Sequence, residues 1–424
     1  MNASPLAAPW LNAVARVFSD AGEPLYAVGG VVRNALMGLP ASDVDVCGPA
    51  RPERVVALCE GTPVRAVLRA AHFGTVELHT ADADGRHMAE YTTFREDSYR
   101  NGHQPSAVRF ADTPEVDALR RDFSVNALYR PLLPYPAAPA EVIDPTGGLA
   151  HLKRGILHTV TDDPDRVFKD DGLRILRAAR FQAELGLVPT DALLASAAGH
   201  VFLLRDIAFE RMRDELTRLL LSDEKYPILK RSEPPVPAGL STVRAVGAWP
   251  MLFGALRPDG RAVAALGFYR APEGLPAVSG KLALLFFREE PEALAARMRI
   301  LRFSVRNTAA AADALTAVRK LLAGGLTRIK AVRLGLPAVE HATTALRALL
   351  AAGEPCEAYA REAEKLLAAL RDERVPKTLW ALAVHGGDLL PLLAEKGVPK
   401  AQTGRTLDAL WTAVVEGRIP NDRQ

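Results

Sequence analysis

The chain has 424 residues, 49% of them hydrophobic, enough length and apolar material for more than one buried core. Its 53 basic and 50 acidic residues leave a net charge of +3, which permits nucleic-acid contact without requiring it. Cys47, Cys59 and Cys356 are too scattered for a disulfide framework or a zinc site, no run of about 18 uncharged apolar residues occurs, and Met1 to Trp10 lacks a basic region followed by an apolar run, so a soluble cytoplasmic protein without a membrane segment is expected.

Residues 1 to 145 mix helical periodicity with short β-branched or alternating runs: Tyr26 to Val28, Val44 to Val46, Thr75 to His79 and His87 to Phe94. The pair Asp84-Gly85 between the last two runs predicts a hairpin turn, so part of the sheet is antiparallel. Tyr26-Ala27-Val28 leads through Gly29-Gly30 into Val31-Val32-Arg33, a strand, a tight turn and the first turn of a helix. Glycines let a backbone approach a triphosphate closely, and Arg33 adds a fixed positive fork.

Ten residues beyond Arg33 comes Asp43-Val44-Asp45-Val46, and in a strand this alternation sets both carboxylates on one face and both valines on the other. Two close carboxylates repel unless a cation neutralises them. Magnesium suits the role, since it accepts one or two protein carboxylates, keeps waters and bridges nucleotide phosphates. Glu90, on a strand over Met88 to Phe94, is the candidate third carboxylate ahead of Glu77. Farther on, Arg120-Arg121-Asp122-Phe123 supplies two guanidinium groups suited to a triphosphate or ribose contact.

After Gly148 strand signals fade, and Ala, Leu and Arg recur at helical spacing. A helix is predicted from about Asp171, with Leu173, Leu176, Ala179, Ala183 and Leu187 on one face at about 100° per residue. Asp171 and Arg174 lie opposite that stripe as i,i+3 neighbours. Arg174 donates hydrogen bonds while Asp171 accepts them, a couple able to read the amino donor and ring-nitrogen acceptor common to cytosine and adenine. Arg177 and Arg180 drift round the helix, placing Arg180 at the border of the apolar face. The stretch Ser232-Glu233-Pro234-Pro235-Val236-Pro237 is expected to divide a middle helical unit from a C-terminal one.

Taken in order, Gly29-Gly30-Val31-Val32-Arg33, Asp43-Val44-Asp45, Arg120-Arg121-Asp122-Phe123 and Asp171-Gly172-Leu173-Arg174 resemble the class II tRNA nucleotidyltransferase (CCA-adding) and bacterial poly(A) polymerase family. The resemblance is tightest over residues 25 to 187. It implies an α+β head with a mixed, largely antiparallel nucleotidyltransferase sheet over residues 1–149. All-α neck, body and tail domains would follow over 150–231, 232–345 and 346–424.

By the same resemblance Asp43 and Asp45 hold magnesium, and Glu90 is added to the catalytic set from its strand position. Gly30, Arg33 and Arg121 contact the nucleotide, Asp171 and Arg174 read its base, and Arg177 and Arg180 line the site, with Gly29 joining the nucleotide contacts from the Gly-Gly turn. The implied reaction adds CCA to a tRNA 3′ end from CTP and ATP, releasing pyrophosphate by a two-metal mechanism, with no obligate protein partner. The alternatives are a poly(A) polymerase, an enzyme adding only CC or only A, and a catalytically silent RNA-binding protein. The segment Arg95 to Pro105, with Asn101-Gly102, resembles the flexible loop associated with adding the terminal A. Four positions depart from the family pattern: Asn34 and His151 stand where Asp is usual, His158 where Arg is usual, and Asp170 where Glu is usual.

Overall fold

The computed structural model describes residues 6, 8–40, 43–83, 85–99, 105–138 and 140–422. The chain divides into two compact units, Met1–Met251 and Leu252–Gln424.

The first unit is built on a six-stranded sheet. Its strands are β1 (Tyr26–Val28), β2 (Val44–Gly48), β3 (Arg65–Ala70), β4 (Thr75–Asp82), β5 (Gly85–Thr93) and, after the β6–β7 hairpin (Arg95–Tyr99 and Pro105–Phe110), β8 (Tyr129–Pro131). The spatial order is β3-β4-β5-β2-β1-β8. β2 pairs with β5 in parallel and every other pair in this sheet is antiparallel, the mixed and largely antiparallel arrangement expected. The β4–β5 turn closes from Asp82 to Gly85; Gly85 has φ 134°, where a side chain would be strained, while Asp84 lies outside the described residues. The segment anticipated as a loop from Arg95 to Pro105 holds β6 and the first residue of its antiparallel partner β7, with residues 100–104 outside the described residues.

Strand alternation splits the sheet into a fully packed face and a partly open one, on which Cys47 is buried in a smaller core. Val44, Val46, Val76, Leu78, Ala89 and Tyr91 are buried in one core with Leu11, Val14 and Phe18 of α1 (Pro9–Asp20) and with Val55 of α3 (Pro52–Cys59). Each fully buried side chain of this size contributes about 1.5–3 kcal/mol. The other face carries Asp45 beside Glu90 in register, and Glu90 beside Glu77. α2 (Gly30–Leu36) follows β1 directly, so Arg33 is carried at a fixed distance from the sheet.

Helices α4 (Pro114–Ala118), α5 (Gly148–Arg154) and α6 (Pro164–Asp170) lead to α7 (Arg174–Leu185), which starts three residues later than its periodicity suggested. Asp171 is extended, at φ −152° and ψ 108°, and its Oδ1 accepts a hydrogen bond from the Leu173 amide at 3.0 Å, a local turn that competes with helix. Gly172 permits the turn, because a Cβ there would lie 2.8 Å from Cβ of Leu203. The predicted stripe of α7 is buried, and so are Arg174, Arg180 and Glu184 on its other sides.

After α8 (Asp191–Gly199), α9 (Phe209–Leu220) and α10 (Ser222–Lys225), α11 (Pro235–Ala245) packs against α7 within the first unit. The proline-rich stretch therefore opens a helix, since proline is tolerated in a first helical turn. Gly239 sets the closeness of the packing: a Cβ there would sit 2.8 Å from Cβ of Ala183 and 2.9 Å from the Ala179 carbonyl.

The described residues of the second unit form helices and turns only. Ala277–Leu285, all of whose nine residues are buried, lies against Val305–Leu322 and Leu336–Ala351. Tyr269 Oη and His341 Nδ1 are hydrogen-bonded at 2.7 Å within this unit, and burial lowers the His341 pKa to about 4. No helix among the described residues is long and apolar enough to cross a membrane.

Candidate active site

One cavity of about 650 Å3 in the first unit is lined by Gly29, Gly30, Arg33, Asp43, Asp45, Arg121, Asp171, Arg174, Arg177 and Arg180. Residues as far apart in the chain as Gly29 and Tyr226 thus meet around one space. Glu90 is the expected site residue absent from the lining, although it stands next to Asp45 across the parallel β2–β5 ladder.

The wall from β1 and α2 is shaped by Gly29, whose φ of 74° favours glycine. A Cβ there would lie 3.5 Å from the Asn126 carbonyl and 3.6 Å from Arg121 Nη1. Arg33 is buried; its Nε and Nη2 donate to Asn34 Oδ1 at 3.2 and 2.9 Å, and its Nη1 donates to Asn126 Oδ1. Burial lowers the pKa of this guanidinium. Arg121 donates from Nε and Nη2 to the buried Asp117 carboxylate at 3.0 and 2.8 Å, which leaves Nη1 on the side of Gly29.

Asp43 and Asp45 are both exposed at the cavity wall. Even so, the protein around Asp45 strips enough hydration to raise its carboxyl pKa, Arg121 counters this, and Asp43 adds to it. Glu90 is raised too, first by lost hydration and then by Asp45 and Glu77. Three like-charged carboxyls in a row favour a bound cation. Among the described residues no three such side chains form a ready-made cage. Magnesium binds through one or two carboxylates and completes its shell with water and phosphate oxygens. Residues Asp43 and Asp45 fit that ion.

On the α7 side the expected base-reading couple is pinned to the protein. Arg174 donates to the carbonyls of Val167 at 3.0 Å and Arg120 at 2.5 Å, while Asp171 Oδ2 accepts from Arg211 at 2.6 Å. Arg177 is held by Asp122 at 2.7 Å, and Arg180 by Glu184 at 3.2 Å and Glu215 at 2.6 Å. The Phe181 ring gathers three of these cations, with Arg33, Arg177 and Arg180 centred 5.2, 5.3 and 4.1 Å from its centroid. Burial would raise the Asp122 carboxyl, but Arg177, Arg174 and a hydrogen bond from Asn126 together hold it well below the usual range.

Residues 25–158 match the poly A polymerase head domain family. A CCA-adding enzyme of Geobacillus thermodenitrificans is 30% identical over 434 aligned positions that cover 97% of this chain and 93% of that one. The chain belongs to the CCA-adding enzyme family. A structure of the Bacillus stearothermophilus CCA-adding enzyme in complex with CTP matches it with a TM-score of 0.72 at 26% identity, over 97% of this chain and 94% of that one. The Thermotoga maritima CCA-adding enzyme complexed with tRNA shares the fold, with a TM-score of 0.65 at 17% identity and coverage of 97% and 91%.

As a CCA-adding family member the chain is a nucleotidyltransferase. Several of its cavity supports carry no mark in the sequence. Asn126, Glu215 and Tyr226 act through partners 93, 35 and 192 positions away, and Phe181 through its ring; Asn126 lies four residues after Asp122 and Phe181 directly follows Arg180. The two unusual histidines stack on one another, with ring centroids 4.7 Å apart at 14°, and His151 Nδ1 pairs with Ser124 Oγ at 2.8 Å.

Proposed function

We propose that this nucleotidyltransferase adds CCA to the tRNA 3′ end without a nucleic-acid template, taking CTP and ATP in the cavity between the open sheet face and α7, in a reducing cytoplasm. The observation that carries the reading is the convergence of paired aspartates and an arginine-rich wall on one nucleotide-sized space.

In this reading Asp43 and Asp45 would hold magnesium, which when bound would supply Lewis-acid activation of the RNA 3′-hydroxyl and charge neutralisation for the departing pyrophosphate. Glu90 reinforces the negative potential at Asp45 from the neighbouring strand. Arg33 and Arg121 bind the triphosphate, and the narrow approach at Gly29 lets its oxygens lie against the backbone. Asp171 and Arg174 read the base edge; each keeps hydrogen-bonding capacity beyond the anchors described above. Arg177 and Arg180 are held rigid by Asp122, Glu184 and Glu215, so the wall is oriented before the nucleotide arrives. Residues 1–149 serve as the catalytic head and 150–231 as the neck, with body and tail over 232–345 and 346–424 gripping tRNA.

The deciding assay supplies purified protein, magnesium, tRNAs ending before the first C, the second C or the terminal A, and each labelled nucleotide separately. Two additions from CTP followed by one from ATP, then arrest, are expected. Unlimited AMP addition would instead identify a poly(A) polymerase. Addition of only CC or only A would mark a partial enzyme, and tRNA binding without any addition a silent RNA-binding protein.

A further inference from the structure

The partly open face of the sheet continues past its acids. Partners across a ladder share a side, so one row of side chains runs from Asp45 through Glu90 and Glu77 to Val67, over β2, β5, β4 and β3. A second row beside it holds Met88, His79 and Arg65, and Arg86 stands two residues before Met88 on the same side. The sign of the charge reverses along this surface. β2 and β5 present Asp45 and Glu90, whereas the β3 edge presents Arg65 and Arg69, which line a second cavity of about 620 Å3 together with His79 and Arg86.

Glu77 marks the reversal. Its Oε1 takes Arg69 Nε at 2.8 Å, while its Oε2 takes Arg69 Nη2 at 2.9 Å and pairs with His79 Nε2 at 2.9 Å. A carboxylate engaged in this way orients the two basic groups beside it. Arg65 and Arg86 are exposed and form no ion pair among the described residues. Met88, 47% exposed, offers an apolar surface on β5, between the acids of β2 and the cations of β3. Charged side chains on an edge strand also guard against pairing with another sheet. That duty is indifferent to sign and to face, yet here three arginines and a histidine share the side that leads to Asp45, and Leu68 on the reverse side of the same edge is left 47% exposed.

We propose that this face is the track on which the accepting RNA strand lies, with its 3′ end at Asp43 and Asp45, Met88 beneath it, and phosphates farther back along the strand held by Arg65, Arg69 and Arg86. It rests on the reading that the RNA 3′ end meets the nucleotide at those aspartates. Three strand spacings separate β2 from β3, roughly 14 Å, the length of about four stacked nucleotides. The basic edge supplies the attraction for a polyanion that the acidic end of the face withholds.

The test uses the full chain with both free arginines neutralised, Arg65→Gln/Arg86→Gln. Filter retention over a range of salt compares tRNA carrying its unpaired 3′ tail with the same tRNA trimmed flush to its acceptor stem. The Kd for tailed tRNA should rise about tenfold, and the slope of log Kd against log salt should flatten by about 1.4, about 0.7 for each phosphate contact on a single strand. Flush tRNA should lose less, and CTP affinity measured by calorimetry in magnesium should stay native. Arg65→Lys/Arg86→Lys should restore most of the affinity, which damage to the fold would not allow. Native binding of tailed tRNA by the glutamine variant would overturn the proposal, and if that variant also self-associates on gel filtration, the arginines guard the edge. An equal loss with flush tRNA would overturn it too, assigning the arginines to the duplex or to a general field. If the unaltered protein adds no nucleotide to tRNA, the functional reading itself fails; if it adds CCA while the glutamine variant binds tailed tRNA normally, only the track fails.

Discussion

Asp122→Asn tests how far the cavity wall depends on a single buried carboxylate. Asp122 Oδ2 takes both Nε and Nη2 of Arg177, at 2.7 and 2.5 Å, and Oδ1 takes the Phe123 amide at 2.7 Å and Asn126 Nδ2 at 3.1 Å. Removing one member of a buried ion pair costs about 3–5 kcal/mol. Arg177 is 30% exposed and keeps Glu215 at 3.7 Å, which reduces the loss to about 2–3 kcal/mol. At about 2–4 °C per kcal/mol for a unit of this size, Tm should fall by about 4–12 °C at neutral pH.

The pH dependence supplies a second reading of the same group. Its folded pKa lies below the unfolded value of about 4, so its contribution is fully present above about pH 4 and is lost as pH falls through the depressed folded value. The gap between native and Asp122→Asn melting curves should therefore narrow on acidification below about pH 4. The assay is differential scanning calorimetry from neutral pH downward. A variant that melts within about 1 °C of the native protein at neutral pH, or a gap that widens in acid, would refute the reasoning.

Other outcomes follow from the same coordinates. Asp43→Ala should abolish nucleotide addition while tRNA binding measured by filter retention stays near native, because an exposed carboxylate is removed without opening a core. Glu90→Gln should slow addition by about tenfold or more if the third carboxylate belongs to the reaction, and native kcat would return Glu90 to a supporting position beside Asp45. Gly280→Ala would put a Cβ 1.8 Å from the Tyr269 hydroxyl oxygen; the second unit should melt several degrees earlier, read by calorimetry, while CTP binding in the cool survives, since every cavity residue lies in the first unit. His341 is kept neutral to about pH 4, whereas an unfolded chain takes up its proton near 6.5, so stability contributed by this site is lost as pH falls from about 6.5 toward 4. His341→Gln should flatten that part of the stability profile.

Short-range chemistry was the legible part of this chain. Asp43-Val44-Asp45-Val46 declares its two faces by alternation alone, and the glycine before Gly30 adopts the positive φ that a strand-to-helix turn needs. The stripe of α7 is buried as its spacing demands. Its start was misplaced because propensity cannot see Leu203 pressing on Gly172, nor an aspartate side chain capturing a nearby amide. β3 escaped notice because Arg65–Ala70 lacks a clean apolar alternation, as an edge strand with its open face toward solvent often does. The roles of Asn126 and Tyr226 depend on contacts 93 and 192 positions away, which no local pattern encodes.

Cys47, Cys59 and Cys356 are all enclosed, and burial raises the pKa of each thiol, that of Cys59 to about 11. Cys47 lies two residues past Asp45 on the same side of its strand, under the guanidinium of Arg121. Alkylating reagents consequently find no thiolate while the fold is closed, and the speed at which they label each sulfur becomes a clock for the opening of the region around it.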